Sequence, residues 1–242
     1  MVAIAEDKLE SGKTLVISYG SDGQLVGVLV KDGRSLEVRC LASKQHEADG
    51  CLLLHASHAA ATCGQVVVCS PDTDVLVLSV HFCLLVGVQL WFKTGTGAKT
   101  RYIQVNDLVQ KLGHPVVSGI VAFHSLTGSD TTSGFTGRGR GKGEAWKVFT
   151  GNAAMFGAMS LLGNTTDVTP QMEENAREFV SGLYSKNVTS DLNMLRYKLF
   201  IQPGKEKLLP PTNDAFHQHV LKCNYQAYLW KQSLDTCSSS GR

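Results

Sequence analysis

The segment that most restricts what this chain can fold into is Gln65-Val66-Val67-Val68-Cys69, followed at once by Ser70-Pro71-Asp72-Thr73-Asp74. An unbroken apolar run of this length, rich in β-branched residues, reads as a strand. Both of its faces are expected to be covered, as in a parallel sheet under helices. Pro71 and the aspartates end the run, and a second apolar stretch follows. Upstream, residues 46–61 switch to Ala, Leu and His, with Leu52, His55, Ala56 and Ala59 at helical spacing and Asp49 in the first turn. Helix, strand and a further apolar element in succession are the alternation of an α/β chain.

The remainder extends that pattern. Residues 14–19 and 24–30 read as strands around Gly20-Ser21-Asp22-Gly23, with Lys31-Asp32-Gly33 turning into a third strand, a small β-meander. Residues 86–92 and 101–105 read as strands, and 106–112 and 115–126 as helices. Residues 128–143 hold six glycines among basic and hydroxylated side chains, and a helix resumes at 144–149. Beyond Gly163 the pattern is helical at 173–184, 192–200 and 213–234, punctuated by Pro203-Gly204 and Pro210-Pro211. The expected fold is α/β, a mostly parallel sheet flanked by helices, with a helical C-terminal portion.

Composition allows this. With 242 residues, 43% hydrophobic and 18% charged, the chain has the apolar content for one large domain or a domain with an appendage. A formal net charge of +2 leaves any polyanion contact to local basic patches. Seven cysteines, an odd number without a CxxC pair, point neither to a disulfide framework nor to a zinc ribbon, and fit a reducing compartment. The N-terminus has no signal-peptide pattern. The most apolar segment, 75–90, is interrupted by Ser79 and His81 and falls short of the ~20 residues of a membrane helix. A nuclear or cytoplasmic protein, neither secreted nor membrane-bound, is expected.

The aspartates carry the chemistry. In extended geometry residues i and i+2 point the same way, so Asp72 and Asp74 would face one spot. Two such charges about 4 Å apart repel by roughly 4 kcal/mol at an effective dielectric near 20. Protons or a cation must offset that, and hard cations such as Mg²⁺ or Mn²⁺ prefer oxygen ligands. The plainer reading is that the pair caps the next helix. Glu47-Ala48-Asp49 and Gly128-Ser129-Asp130 add two more acidic segments.

Taken in order, His46-Glu47-Ala48-Asp49, Ser70-Pro71-Asp72-Thr73-Asp74 and Leu126-Thr127-Gly128-Ser129-Asp130 resemble the flap-endonuclease, or XPG-type 5′ nuclease, family of the PIN-like superfamily. Glu47 and Asp49 match its Glu-x-Glu pair, with Asp at the second position. Asp72 and Asp74 match its Asp-x-Asp, and Asp130 its Gly-x-Asp. The resemblance spans roughly residues 14–234 and is closest to a group of animal proteins carrying this domain.

What the resemblance implies is a PIN-like nuclease core over residues 1–165, N-terminally incomplete, with a glycine-rich helix–turn–helix at 128–150 and a helical C-terminal extension over 166–235. The implied activity is metal-dependent, structure-selective phosphodiester hydrolysis with two Mg²⁺ or Mn²⁺ ions. Glu47, Asp49, Asp72, Asp74 and Asp130 would be the ligands, with Asp72, Asp74 and Asp130 catalytic. Arg138, Arg140, Lys142 and Lys147 would hold the backbone of branched or 5′-ended DNA or RNA. One departure counts against this. The family carries further aspartates upstream of the Glu-x-Glu, whereas this chain offers Asp7, Asp22 and Asp32 there, the last two in turn contexts. The alternative is a catalytically incomplete nucleic-acid- or protein-binding scaffold of the same fold, its two-metal site missing a ligand.

Other motifs read more simply. Lys93-Thr94-Gly95-Thr96-Gly97-Ala98-Lys99-Thr100 lacks phosphate-loop spacing and reads as a hairpin loop. Cys51, His55 and His58 can share a helix face with Cys63 beyond it, yet packed helix residues explain them better than zinc. Trp91, Trp146, Trp230, Tyr225 and Tyr228 read as core before base-stacking platforms.

Overall fold

The computed structural model describes residues 8–21, 24–43, 47–135, 142–186, 189–204 and 209–235. Strands β1 (Thr14–Ser21), β2 (Gln24–Lys31) and β3 (Arg34–Glu37) form an antiparallel meander. The β2–β3 turn is Asp32-Gly33, both at positive φ (49° and 71°), which an Asp-Gly pair adopts readily in a tight hairpin. Gly27 lets the meander close: a Cβ there would sit 2.6 Å from Leu41 Cβ. Helix α1 (Ala48–Ala60) holds the meander through His55 Nε2, 2.7 Å from Ser18 Oγ, and His58 Nδ1, 3.3 Å from Cys40 Sγ.

The second sheet contains β4 (Gln65–Cys69), β5 (Gln89–Thr94) and β6 (Arg101–Gln104), in that order. Helix α2 (Thr73–Val86) is the crossover that makes β4 and β5 parallel. It runs through Val86 and stops where Gly87 takes φ 74°, so the expected strand at 86–92 begins instead at Gln89. β6 returns antiparallel to β5 after a short loop, as a hairpin must. The sheet is therefore mixed, not mostly parallel. Nor is β4 covered on both faces, since Val66 and Val68 are buried while Val67 is 45% exposed.

Helices α3 (Val105–Leu112) and α4 (His114–Thr127) follow. From Val116 to Leu126 nearly every residue of α4 is buried, the mark of a helix enclosed on all sides. One side joins the core of the sheet, with Leu53, Val68, Leu78, Leu90, Phe92 and Ile120. The other joins a core built by the later helices, where Phe123 stacks on Phe149 at 4.9 Å and meets Trp146 edge-on at 5.3 Å.

Those later helices are α5 (Lys142–Thr150), α6 (Ala153–Ser160), α7 (Pro170–Tyr184), α8 (Leu192–Phe200) and α9 (Asn213–Lys231). Side chains of Asn152, Thr169, Asp191 and Thr212 cap four of them. α6 has no counterpart in the sequence reading, because Ala153-Ala154-Met155-Phe156-Gly157-Ala158-Met159 carries no polar face to reveal a period. α9 reaches both cores, giving Phe216, Val220 and Cys223 to one and Ala227 and Trp230 to the other. Among the described residues no helix is long and apolar enough to cross a membrane.

Asn224, fully buried on α9, ties the loop before α7 to that helix. It accepts from the Gly163 N–H at 2.8 Å and donates to the carbonyls of Thr165 and Thr166 at 2.9 and 3.1 Å. Asn224→Ala orphans all three groups and is expected to cost about 2–4 kcal/mol. In urea titrations the midpoint should fall with the slope unchanged.

Candidate metal centre

Two helix starts and one turn bring the acids together. Glu47 is the N-cap of α1 and Asp49 lies in its first turn. Asp72 is the N-cap of α2, its Oδ1 accepting the Asp74 N–H at 2.9 Å, with Asp74 in the first turn. The expected extended Asp-x-Asp is thus a helix start, and the capping role weighed against the metal role is what Asp72 does. Its own N–H donates to Ser70 Oγ at 3.0 Å. The partial positive charge of each helix start offsets some of the repulsion, roughly 0.3–1 kcal/mol per carboxylate.

Asp130 arrives on a glycine-dependent turn. Gly128 has φ 106°, and a Cβ there would lie 2.9 Å from Gly134 Cα. Thr132 Oγ1 donates to the Ser125 carbonyl at 2.6 Å, and the Ser129 N–H donates to the Thr132 carbonyl at 3.1 Å. The turn brings the Asp130 backbone N–H to the Asp74 carboxylate.

The five carboxylates share one electrostatic neighbourhood. Asp49 is pushed up to about 6, first by burial and then by the charges of Asp72, Asp74, Glu47 and Asp130. Asp74, 5% exposed, is raised by burial. The hydrogen bond from His124, the Lys142 ammonium and the Asp130 N–H outweigh that and hold it below the usual carboxylate value.

His124 and Lys142 form the donor side of this arrangement, with Lys142 the cation. His124, 2% exposed on α4, has Nε2 2.6 Å from Asp74 Oδ1. The Lys142 Nζ lies 2.6 Å from His124 Nδ1. An ammonium can only donate, so Nδ1 accepts and Nε2 carries the proton given to Asp74. Burial lowers the Lys142 pKa, and Asp74, Asp130 and Asp72 pull it partly back. On the far side Gln226, buried on α9, donates to both Glu47 oxygens at 3.1 Å.

Lys142, expected on a nucleic-acid backbone, is exposed, with its ammonium 2.6 Å from His124 Nδ1. Lys147 is exposed and paired with Glu144 at 2.7 Å. Arg138 and Arg140 lie outside the described residues, as do His46 and the turn of the expected helix–turn–helix. His55 and His58 serve the meander. Trp230 is core, its ring 5.8 Å from that of His124, whereas Tyr225 is exposed. His124 and Gln226 were not singled out from the sequence, since a lone histidine on an apolar helix reads as core.

Hard oxygen donors and an excess of negative charge suit a divalent cation. Among the described residues, though, no three His, Cys, Asp or Glu side chains stand close enough to hold one ion. The acids share a field without meeting at a point, and the Lys142 ammonium lies within that field. In charge and donor type the cluster suits a cation, but the side chains of the described residues do not converge on one.

A carboxyl whose folded pKa lies above its unfolded value holds its proton more tightly when folded. The contribution of Asp49 to stability is therefore full below pH ~4 and is lost as pH rises through about 6. In EDTA, Asp49→Asn should melt above wild type at pH 7.5, with the gap closing near pH 4. A gap constant across that range would show that Asp49 does not carry the tension. No family model matches the chain, and comparison with curated proteins and with solved structures likewise found no match.

Proposed function

We propose that this chain carries a Mg²⁺- or Mn²⁺-dependent phosphodiester hydrolase site of the PIN-like, 5′ nuclease kind, acting on branched or 5′-ended nucleic acid. One observation carries the reading: Glu47, Asp72, Asp74 and Asp130, from three separate stretches of chain, all act on Asp49. Such a concentration of like charge opposes folding, and a cation site is what it is suited to.

Glu47, Asp49, Asp72, Asp74 and Asp130 would hold the metal by drawing closer together than they stand without it, with Glu47 steadied by Gln226. When bound, two such ions activate a water and neutralise charge on the scissile phosphate. The protein's own residues orient and compensate. His124 fixes Asp74 from a buried position, and Asp72 spends one oxygen on the α2 cap. Lys147, with Arg138 and Arg140 from the glycine-rich segment, would meet the phosphate backbone.

A second reading is a scaffold of the same fold that binds nucleic acid or protein without turnover. It is supported by Asp74 already being paired with His124 and linked through it to Lys142, and by Asp32 lying in a hairpin turn.

Asparagine caps a helix as well as aspartate, so Asp72→Asn removes charge while sparing the fold. Losing several kcal/mol of charge stabilisation corresponds to roughly 10²–10⁴-fold in rate. Mn²⁺-dependent cleavage of a labelled 5′-flap duplex should fall by that much. Equal cleavage by wild type and the Asp72→Asn/Asp74→Asn double variant would exclude the nuclease.

A further inference from the structure

We infer that the outer face of the second sheet is a docking site for single-stranded nucleic acid. Alternate residues of β4, β5 and β6 point away from the core. The strand register sets them in two rows, Val67, Trp91 and Gln104, then Cys69, Lys93 and Tyr102. None of the six is buried, and Val67 is 45% and Tyr102 57% exposed. Trp91 and Tyr102 are diagonal neighbours on adjacent strands, roughly 7–8 Å apart and within reach of aromatic side chains. Two aromatic rings therefore stand side by side on this face. Lys93 joins them, its Nζ lying 5.8 Å from the centre of the Tyr102 ring.

The charge of the sheet points to a polyanion. Between Asp74 and Asp107 the chain carries Lys93, Lys99 and Arg101 and no acid, and between Asp49 and Asp72 it carries no acid either. Lys99, in the loop from β5 to β6, and Arg101, at the start of β6, are both exposed. A helix or a second sheet packed here would take the Lys93 ammonium and the Gln104 amide out of water. A nucleic-acid strand makes use of all of them. Unpaired bases stack on the rings, phosphates meet the basic side chains, and the amide hydrogen-bonds a base edge. A duplex keeps its bases stacked on one another and has none to offer. The face is about 10 Å across between its outer strands, room for two or three bases. The Ser70 N–H, just past β4, donates to the Lys93 carbonyl at 3.1 Å, so the face ends beside the acidic cluster that begins at Asp72. Docking here needs neither metal nor cleavage and shares with the reading above only its partner, nucleic acid.

Fluorescence anisotropy with the full chain in EDTA tests this, using short labelled oligo(dT) and oligo(U) and a duplex of the same length. One or both single strands should bind more tightly than the duplex. Tyr102→Ala should weaken that binding roughly tenfold or more, whereas Tyr102→Phe, which keeps the ring, should not. Lys93→Gln should lower the slope of log affinity against log salt by about 0.7. A bound single strand should also quench tryptophan fluorescence, with much of the quench lost in Trp91→Phe. Each variant is checked for folding by circular dichroism, and if Tyr102→Ala does not fold, Lys93→Gln and the Trp91→Phe quench decide. Duplex bound as tightly as single strand, or single-strand binding unchanged in both Tyr102→Ala and Lys93→Gln, overturns the proposal. So does a wild-type chain that binds no single strand, including one that sedimentation shows to pair with a second copy instead. Mn²⁺-dependent cleavage without this binding removes the docking face and leaves the nuclease; this binding without cleavage does the reverse.

Discussion

A helix enclosed on every side leaves its polar residues no water to turn to, and most of this structure answers that constraint at α4. Its inward polar groups are His124 and Ser125, both almost fully buried. An unsatisfied polar group at such depth costs about 1–3 kcal/mol. The Ser125 carbonyl takes Thr132 Oγ1 at 2.6 Å and Cys223 Sγ at 3.2 Å. His124 takes Asp74 on one nitrogen and Lys142 on the other. Satisfying one helix thus fixes the loop after it, the start of α2, the start of α5 and the middle of α9.

The acidic pocket grows from the same scaffold and pulls against it. Nothing in the packing of α1 or α2 requires five carboxylates at one end of the molecule, and the raised Asp49 records the strain of holding them there. Helix starts, the Asp130 N–H, the His124 N–H and the Lys142 ammonium each relieve part of it. Charge retained at the expense of stability is characteristic of functional sites. That contrast separates this cluster from Glu173, which is half-buried and matched by Arg177 one helical turn on.

How much of this was legible in the sequence depends on how far away each residue's partners lie. The β4 strand and its aspartates could be read from eight or ten neighbouring residues, as could the Asp-Gly turn and the helix start at Asn213, whereas the helix expected from 173 begins at Pro170. A continuous apolar run, however, does not say whether both its faces are covered, and Val67 shows that one is not. Extended alternation was the wrong geometry for Asp72 and Asp74, because Thr73 and Asp74 already belong to the helix. Helix α6 was missed for lack of a polar face. His124 and Gln226 were beyond local reading altogether, since their partners stand 50 and 179 residues away along the chain.

Helix α9 is threaded through all of this. It supplies side chains to both cores, clasps the loop at Gly163 and steadies Glu47 from the opposite end of the chain. Helices α4 and α7 pack directly against it. Because ribosomes deliver residues in order, the first half emerges with its hydrophobic faces open and waits for residues 213–231 before it can close. Until residues 213–231 have emerged, the apolar faces of α4 and α7 that they cover stay open, and the nascent polypeptide is then the form that chaperones would have to shield.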